Sequence, residues 1–246
     1  MRAVRQAAGA VVTAAVLIGA AFLLYAMARD HPQDMPWTKL DLDQPVGMFT
    51  RSKLTALTGN FGQCRALLDR AGVEYSALAP VGTQDQCGYA DGVRLDAGGA
   101  RALRFAPGGL GVSCPVAASL AMWEWNVVQP AAQELLGQRV RTLEHFGSYN
   151  CRRIYGRDAG AWSEHATADA VDIAGFVLDD GTRITVARDW NGTGDDADTS
   201  AFLHAVRDGA CDLFATTLSP DYNAAHRDHL HLDHADRGGM RWGVCR

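Results

Sequence analysis

The stretch Ser163–Arg188, SEHATADAVDIAGFVLDDGTRITVAR, carries the clearest fold signal in the chain. Two strand-like runs, Ala170–Leu178 and Arg183–Arg188, flank the turn Asp179-Asp180-Gly181, an arrangement that predicts an antiparallel hairpin. Working outward, Val140–Phe146 reads as a further strand and His229–Leu232 as a short one. Pro115 opens a helix where its missing N–H costs nothing. Val116, Leu120, Trp123, Val127 and Leu135 form that helix's apolar stripe, and Pro130 is expected to kink or divide it. Leu54, Leu57, Cys64, Leu67 and Leu68 recur at helical spacing around Gly59-Asn60, which predicts two short helices. The glycine-rich Val73–Gly111 segment suggests a twisted hairpin or irregular strands. Phe202, Val206, Cys211, Leu213 and Phe214 predict a helix or helix pair before Pro220, and a tail beginning at Gly238-Gly239 is expected to be tied down through Cys245. Helices and antiparallel strands interleave without a βαβ rhythm. The expected class is α+β, an antiparallel sheet core with flanking helices.

The 246 residues suffice for one substantial domain, and 48% hydrophobic with 21% charged residues excludes wholesale disorder. A net charge of −5, from 23 basic and 28 acidic residues, gives no broad cationic field, so nucleic acid is not an expected partner. Arg2 and Arg5 precede an uncharged run, Ala7–Ala28, of 22 residues. At about 1.5 Å per residue this run spans a hydrocarbon core of roughly 30 Å. Basic residues before it, with Asp30 and Asp34 after it, favour a cytoplasmic N-terminus and an exported body. The expected division is an anchor over residues 1–28, a linker over 29–50 and a domain over 51–246. A signal peptide cleaved near Ala26-Met27-Ala28 is the competing reading. Either one exports the domain, as an inner-membrane-anchored or a released periplasmic protein. Cys64, Cys87, Cys114, Cys151, Cys211 and Cys245 agree with export, being even in number and lacking any CxxC pair. Three disulfides are expected, and the 15 possible pairings stay open.

Two segments carry the chemistry. In SEHATADAVD, His165 and Asp172 stand seven apart; in HRDHLHLDH, residues 226–234, lie four of the chain's eight histidines. Imidazole and carboxylate are ordinary zinc ligands, and a catalytic site needs three of them plus an open position. His165, Asp172 and one histidine of the cluster would supply such a set. Residues i and i+2 of a strand share a face, so His229 and His231 can enter one site while Asp228 points away unless the strand ends there. His165 and Asp172 differ by an odd number, so both reach one ion only if the chain turns through Thr167-Ala168-Asp169 before the strand begins. The competing explanations are a solvated histidine loop, an adventitious metal site and an Asp172–arginine bridge.

SEHATADAVDIAGF, the upstream GSYNCR, and the downstream ACDLF and PDYNAAHRDHLHLD closely resemble the bacterial extensin-like C-terminal domain family, over roughly Leu40–Arg246. More distantly, the same segments resemble the zinc D,D-peptidases that cut peptidoglycan stem peptides. That resemblance implies Zn²⁺ held by His165, Asp172 and His231. It implies His229 as the acid/base residue, with Asp228 competing because it falls where some members place a glutamate; strand parity favours His229. It further implies Arg152 as a substrate-holding or charge-stabilising group, and a site lined by His226, Ser163, Tyr222 and Asn223. Ser163 and Glu164 would orient His165. Where the peptidase pattern has glycine this chain has Ala168, a departure that costs about 1 kcal/mol if the turn needs positive φ. The implied activity is a zinc-dependent D,D-carboxypeptidase or endopeptidase acting on peptidoglycan peptides. The alternatives are a non-catalytic zinc-containing envelope or peptidoglycan-binding module, and an envelope sensor of metal or pH.

Overall fold

The apolar N-terminal run forms helix α1 (Arg2–Asp30) in the computed structural model, which describes residues 2–82, 86–238 and 243–246. Among the described residues it is the one helix long and apolar enough to cross a membrane, and none of its apolar window is buried. Gly239, in the expected tail, lies outside the described residues. The segment read as a linker is packed: Leu40 and Leu42 join the core, and Gln33 and Met35 are buried beside them. Its proline content breaks regular structure without keeping it off the domain.

The two short helices follow as α2 (Thr50–Thr55) and α3 (Phe61–Arg70). The glycine-rich region folds as short strands: β1 (Val73–Ala77), β2 (Val81–Gly82), β3 (Gly88–Tyr89), β4 (Gly92–Gly99), β5 (Arg104–Ala106) and β6 (Gly111–Ser113). Of these, β1-β4-β6 form a small antiparallel sheet and β2 pairs with β3. Pro115 stands at the start of α4 (Cys114–Trp123), and Pro130 near the start of α5 (Gln129–Leu136). Between them Glu124–Val128 form a widened π turn. Pro130 has no N–H to donate, and its ring crowds the carbonyl one turn back, so the helix loosens there without breaking. Glu124, on that turn, is buried and holds Arg101 (3.0 Å) and the N–H groups of Ala102 and Leu103 (2.6 and 2.9 Å).

The main sheet is built from β5 together with β7 (Val140–Gly147), β8 (Ala170–Leu178), β9 (Arg183–Thr185), β10 (Thr216–Leu218), β11 (Leu230–Asp233) and β12 (Val244–Cys245). Its order is β12-β10-β11-β8-β7-β5, with β9 also on β8. Contacts are antiparallel except at the two edges, where β12 joins β10 and β5 joins β7 in parallel. The second arm of the hairpin ends at Thr185 and not at Arg188. There the Asp189 carboxylate accepts the Thr185 N–H (2.6 Å), turning the chain into the single turn α6 (Val186–Asp189). Helix α7 (Ala197–Cys211) then carries Phe202 and Val206 into the core, where Trp123 Nε1 donates to the Val206 carbonyl (2.9 Å) and Phe176 meets Phe202 edge to face.

The cysteines pair as Cys64–Cys114, Cys87–Cys151 and Cys211–Cys245. Disulfides of this kind belong to oxidising compartments, and with an N-terminal apolar helix able to act as anchor or signal they point outside the cytoplasm.

Strand β8 is central, with β7 along one edge and β11 then β9 along the other. Its buried residues change parity: Val171 and Ile173 in the first half, Phe176 and Leu178 in the second. A register shift against β7 between Glu144 and His145 accommodates the change. Gly175 sits at this point because an added Cβ would lie 2.5 Å from the Ile184 carbonyl of β9. Gly175→Ala should therefore destabilise the domain by about 1–3 kcal/mol, where strand glycine-to-alanine changes ordinarily help. Urea denaturation measures this, and an unchanged or higher midpoint would contradict the close approach.

Candidate metal centre

In β8 and β11, Leu230, Leu232, Val171 and Ile173 face the core, which places the alternate residues Asp172, His231 and Asp233 on the other face. The antiparallel register sets His231 directly opposite Asp172. His165 arrives from outside the sheet. Ser163 caps a 3₁₀ turn, Glu164–Thr167, by accepting the His165 N–H (3.4 Å), and the turn ends on Ala168 in the left-handed region (φ +62°). The turn that the sequence spacing requires is therefore present, and alanine carries the positive φ at a cost of roughly 1–2 kcal/mol. Two hydrogen bonds hold that conformation, since the Ala168 carbonyl accepts from Ser113 N (2.9 Å) and Ser148 Oγ (3.2 Å).

The result is a triangle of donor atoms. His165 Nε2 lies 3.2 Å from both Asp172 Oδ1 and His231 Nδ1, and His231 Nδ1 lies 2.9 Å from Asp172 Oδ1. Ligand atoms around a tetrahedral ion with bonds of about 2.0–2.1 Å stand roughly 3.3 Å apart, close to these separations. The outer nitrogens are also fixed. His165 Nδ1–H donates to the Ser148 carbonyl (2.6 Å), and His231 Nε2–H donates to Asp233 (3.0 Å). Each ring thus turns its other nitrogen inward, the arrangement that orients metal-binding histidines. His165, Asp172 and His231 together can hold a divalent cation.

The local electrostatics favour a cation. Burial pushes the Asp172 carboxyl up, but hydrogen bonds from His165 and His231 outweigh it and hold the group well below the ordinary carboxylate range. His231 responds in the opposite sense: burial lowers it, while Asp172 and Asp233 raise it to about 9. Nearby, burial and the charges of Asp233 and Asp169 raise Glu164 to about 7. Without a metal, one proton on His231 serves as the positive charge between two carboxylates.

The remaining expected residues fall into three groups. His229 stands at the rim, its Nδ1 2.9 Å from Asp228 Oδ1 and its Nε2 3.6 Å from Asp172 Oδ1, with the exposed Phe146 ring packed edge-on. Asp228 precedes the strand, so its carboxylate turns back to His229 and not toward the triangle. His226 packs against His229 and Tyr222; its Nδ1–H donates to Asn223 Oδ1 (2.8 Å), and Asn223 Nδ2 donates to Tyr155 Oη (3.1 Å). Burial, then the neighbouring His229 and His231, lower His226 to about 4. Arg152 is half-buried on the loop fastened by Cys87–Cys151. Its carbonyl accepts the Ser163 N–H (3.1 Å), and among the described residues its guanidinium has no hydrogen-bond or ion-pair partner.

His234, the fourth histidine of the cluster, is a core residue wedged between Thr55 Oγ1 (3.1 Å) and Ser119 Oγ (2.7 Å), and burial lowers it to about 4. Of Ser163 and Glu164, expected to orient His165, Ser163 accepts its backbone N–H, while the ring itself is held by the Ser148 carbonyl. Sequence reading passed over Asp233, whose signal was its position two residues beyond His231 on the same strand face.

A mixed α+β domain with a pre-oriented His-Asp-His cluster on the open face of its sheet is the class that fold and site define. Residues 62–246 match the model of the extensin-like protein C-terminus family, and the chain belongs to that family. Among curated proteins and among solved structures, none matches the chain.

A histidine that binds a metal must be deprotonated to the neutral imidazole, so an ion that takes the His231 nitrogen displaces its proton. Zn²⁺ binding at pH 7.5 should release about one proton, and apparent affinity should rise with pH up to about 9. Calorimetry in buffers of different ionisation enthalpy checks this; binding without proton release would place the ion elsewhere. Asp233→Asn should weaken binding by about 10–100-fold.

Proposed function

We propose that this protein is a zinc-dependent peptidase acting on peptidoglycan stem peptides or cross-links, as a D,D-carboxypeptidase or endopeptidase. The observation that carries the reading is the convergence of His165 Nε2, Asp172 Oδ1 and His231 Nδ1 within 2.9–3.2 Å of one another, with both rings pinned from behind. Held by His165, Asp172 and His231, a Zn²⁺ ion would supply Lewis acidity that polarises a carbonyl and makes water more acidic.

The protein's own groups do the rest. His229 Nε2 faces the cluster while its Nδ1–H is held by Asp228, so the ring can take a proton from the attacking water and hand it to the leaving amine. Asp228 orients this ring through the Nδ1 contact, a division of labour that favours His229 over Asp228 as base. The Arg152 guanidinium supplies positive charge for a substrate carboxylate or for the carbonyl oxygen as it becomes negative. His226, Tyr222 and Asn223 form the adjoining wall. The domain works in the periplasm, held by α1 in the inner membrane. The disulfides and the exposed apolar helix support that placement.

The test is release of peptides from purified peptidoglycan, followed by mass spectrometry, with zinc and after chelation. His229→Ala should lower turnover by about 10²–10⁴-fold and keep the metal, whereas His165→Ala should lose both. Activity that survives both substitutions would overturn the peptidase reading. Zinc binding with no hydrolysis would instead favour a non-catalytic envelope module, for which the Ala168 departure and three disulfide staples speak.

A further inference from the structure

The joint between helix and domain is too short to be a tether. Ala28 is the last residue of the uncharged run, and α1 ends at Asp30. His31 alone separates it from the Pro32–Asp34 turn, which is already fastened to the domain. Lys53 Nζ donates to the Pro32 carbonyl (3.0 Å), Gln33 Oε1 (3.2 Å) and Thr38 Oγ1 (2.9 Å); Phe49 N donates to the Gln33 carbonyl (3.0 Å) and Met48 N to Asp34 Oδ1 (2.7 Å). The headgroup layer adds only about 5–8 Å to each side of the hydrocarbon core. Four residues past the apolar run advance roughly 6 Å along a helix and at most about 14 Å extended. The docked turn therefore leaves the bilayer at about headgroup depth, and the domain surface around it meets the lipid.

That surface carries what an interface needs. Trp37 is 67% exposed and Met48 80% exposed, both on the docked segment, and among the described residues neither packs in the domain core. Large apolar side chains left in solvent cost free energy, and tryptophan in particular settles at headgroup level. Charge is balanced across residues 29–53: Arg29, Lys39, Arg51 and Lys53 against Asp30, Asp34, Asp41 and Asp43. Attachment through anionic lipid is thereby disfavoured, and apolar insertion is what remains.

We propose that residues 31–50 form a built-in membrane-interface foot, with Trp37 and Met48 seated among the lipid headgroups so that the domain lies against the bilayer. The inference rests on α1 being retained as an anchor. A domain of this size is roughly 40 Å across, so its site would reach substrate only in the layer next to the membrane.

The test uses the full chain in zwitterionic nanodiscs containing lipid brominated near the top of the acyl chains, which quenches nearby tryptophan. Wild type minus Trp37→Phe isolates the Trp37 signal. That difference emission should be blue-shifted, quenched by brominated lipid, protected from aqueous iodide, and unchanged when anionic lipid or salt is added. A chain that stays in the disc while its Trp37 signal is quenched by iodide and not by brominated lipid overturns the foot and leaves the anchor reading intact. Release of the domain without α1 overturns both.

Discussion

Everything at the candidate centre depends on the pairing of β8 with β11 in a register that sets Asp172 across from His231. Side chains in a strand alternate, so a slip of one residue would send Leu230 or Leu232 to the open face and bury a histidine in the core. The apolar set Val171, Ile173, Leu230 and Leu232 holds the register from the core side. On the open face, the same register gathers Asp172, His231 and Asp233. One constraint thus fixes both packing and chemistry, and the His165 turn adds the third donor from outside the sheet.

The cluster carries a local conflict that packing resolves. Two carboxylates, Asp172 and Asp233, flank the His231 ring in a nearly closed space, which is unfavourable without a positive charge. A proton on His231 meets the need in the metal-free protein, and a divalent cation can replace it. Ala168 in the left-handed region is a second local cost, accepted because the Ser113 and Ser148 hydrogen bonds fix the turn. Rule-breaking residues concentrated at one place are what a functional site imposes on an otherwise consistent fold.

Much of this was legible in the sequence because it followed from short-range periodicity. The β8–β9 hairpin, the Pro115 helix start and the need for a turn between His165 and Asp172 all come from spacing within a dozen residues. What escaped depends on long-range geometry. The cysteine pairings join positions 34 to 64 apart, and nothing local selects them. His234 looks like its neighbours in sequence, yet it lies beyond the strand and meets Thr55 and Ser119 from distant helices. The segment 29–50 reads as a tether by its prolines, but Leu40 and Leu42 find places in a core built by later elements. The parallel edge strands β5 and β12 are too short to announce their direction.

Zinc-edge X-ray absorption on the purified protein reports most directly on the central claim. The account predicts one zinc per chain, coordinated by two imidazole nitrogens and by oxygen at about 2.0–2.2 Å. His231→Ala should leave a single imidazole in the spectrum or no bound metal at all. Zinc absent from the untreated protein and not taken up on addition, or a spectrum unchanged by the His231 substitution, would contradict it.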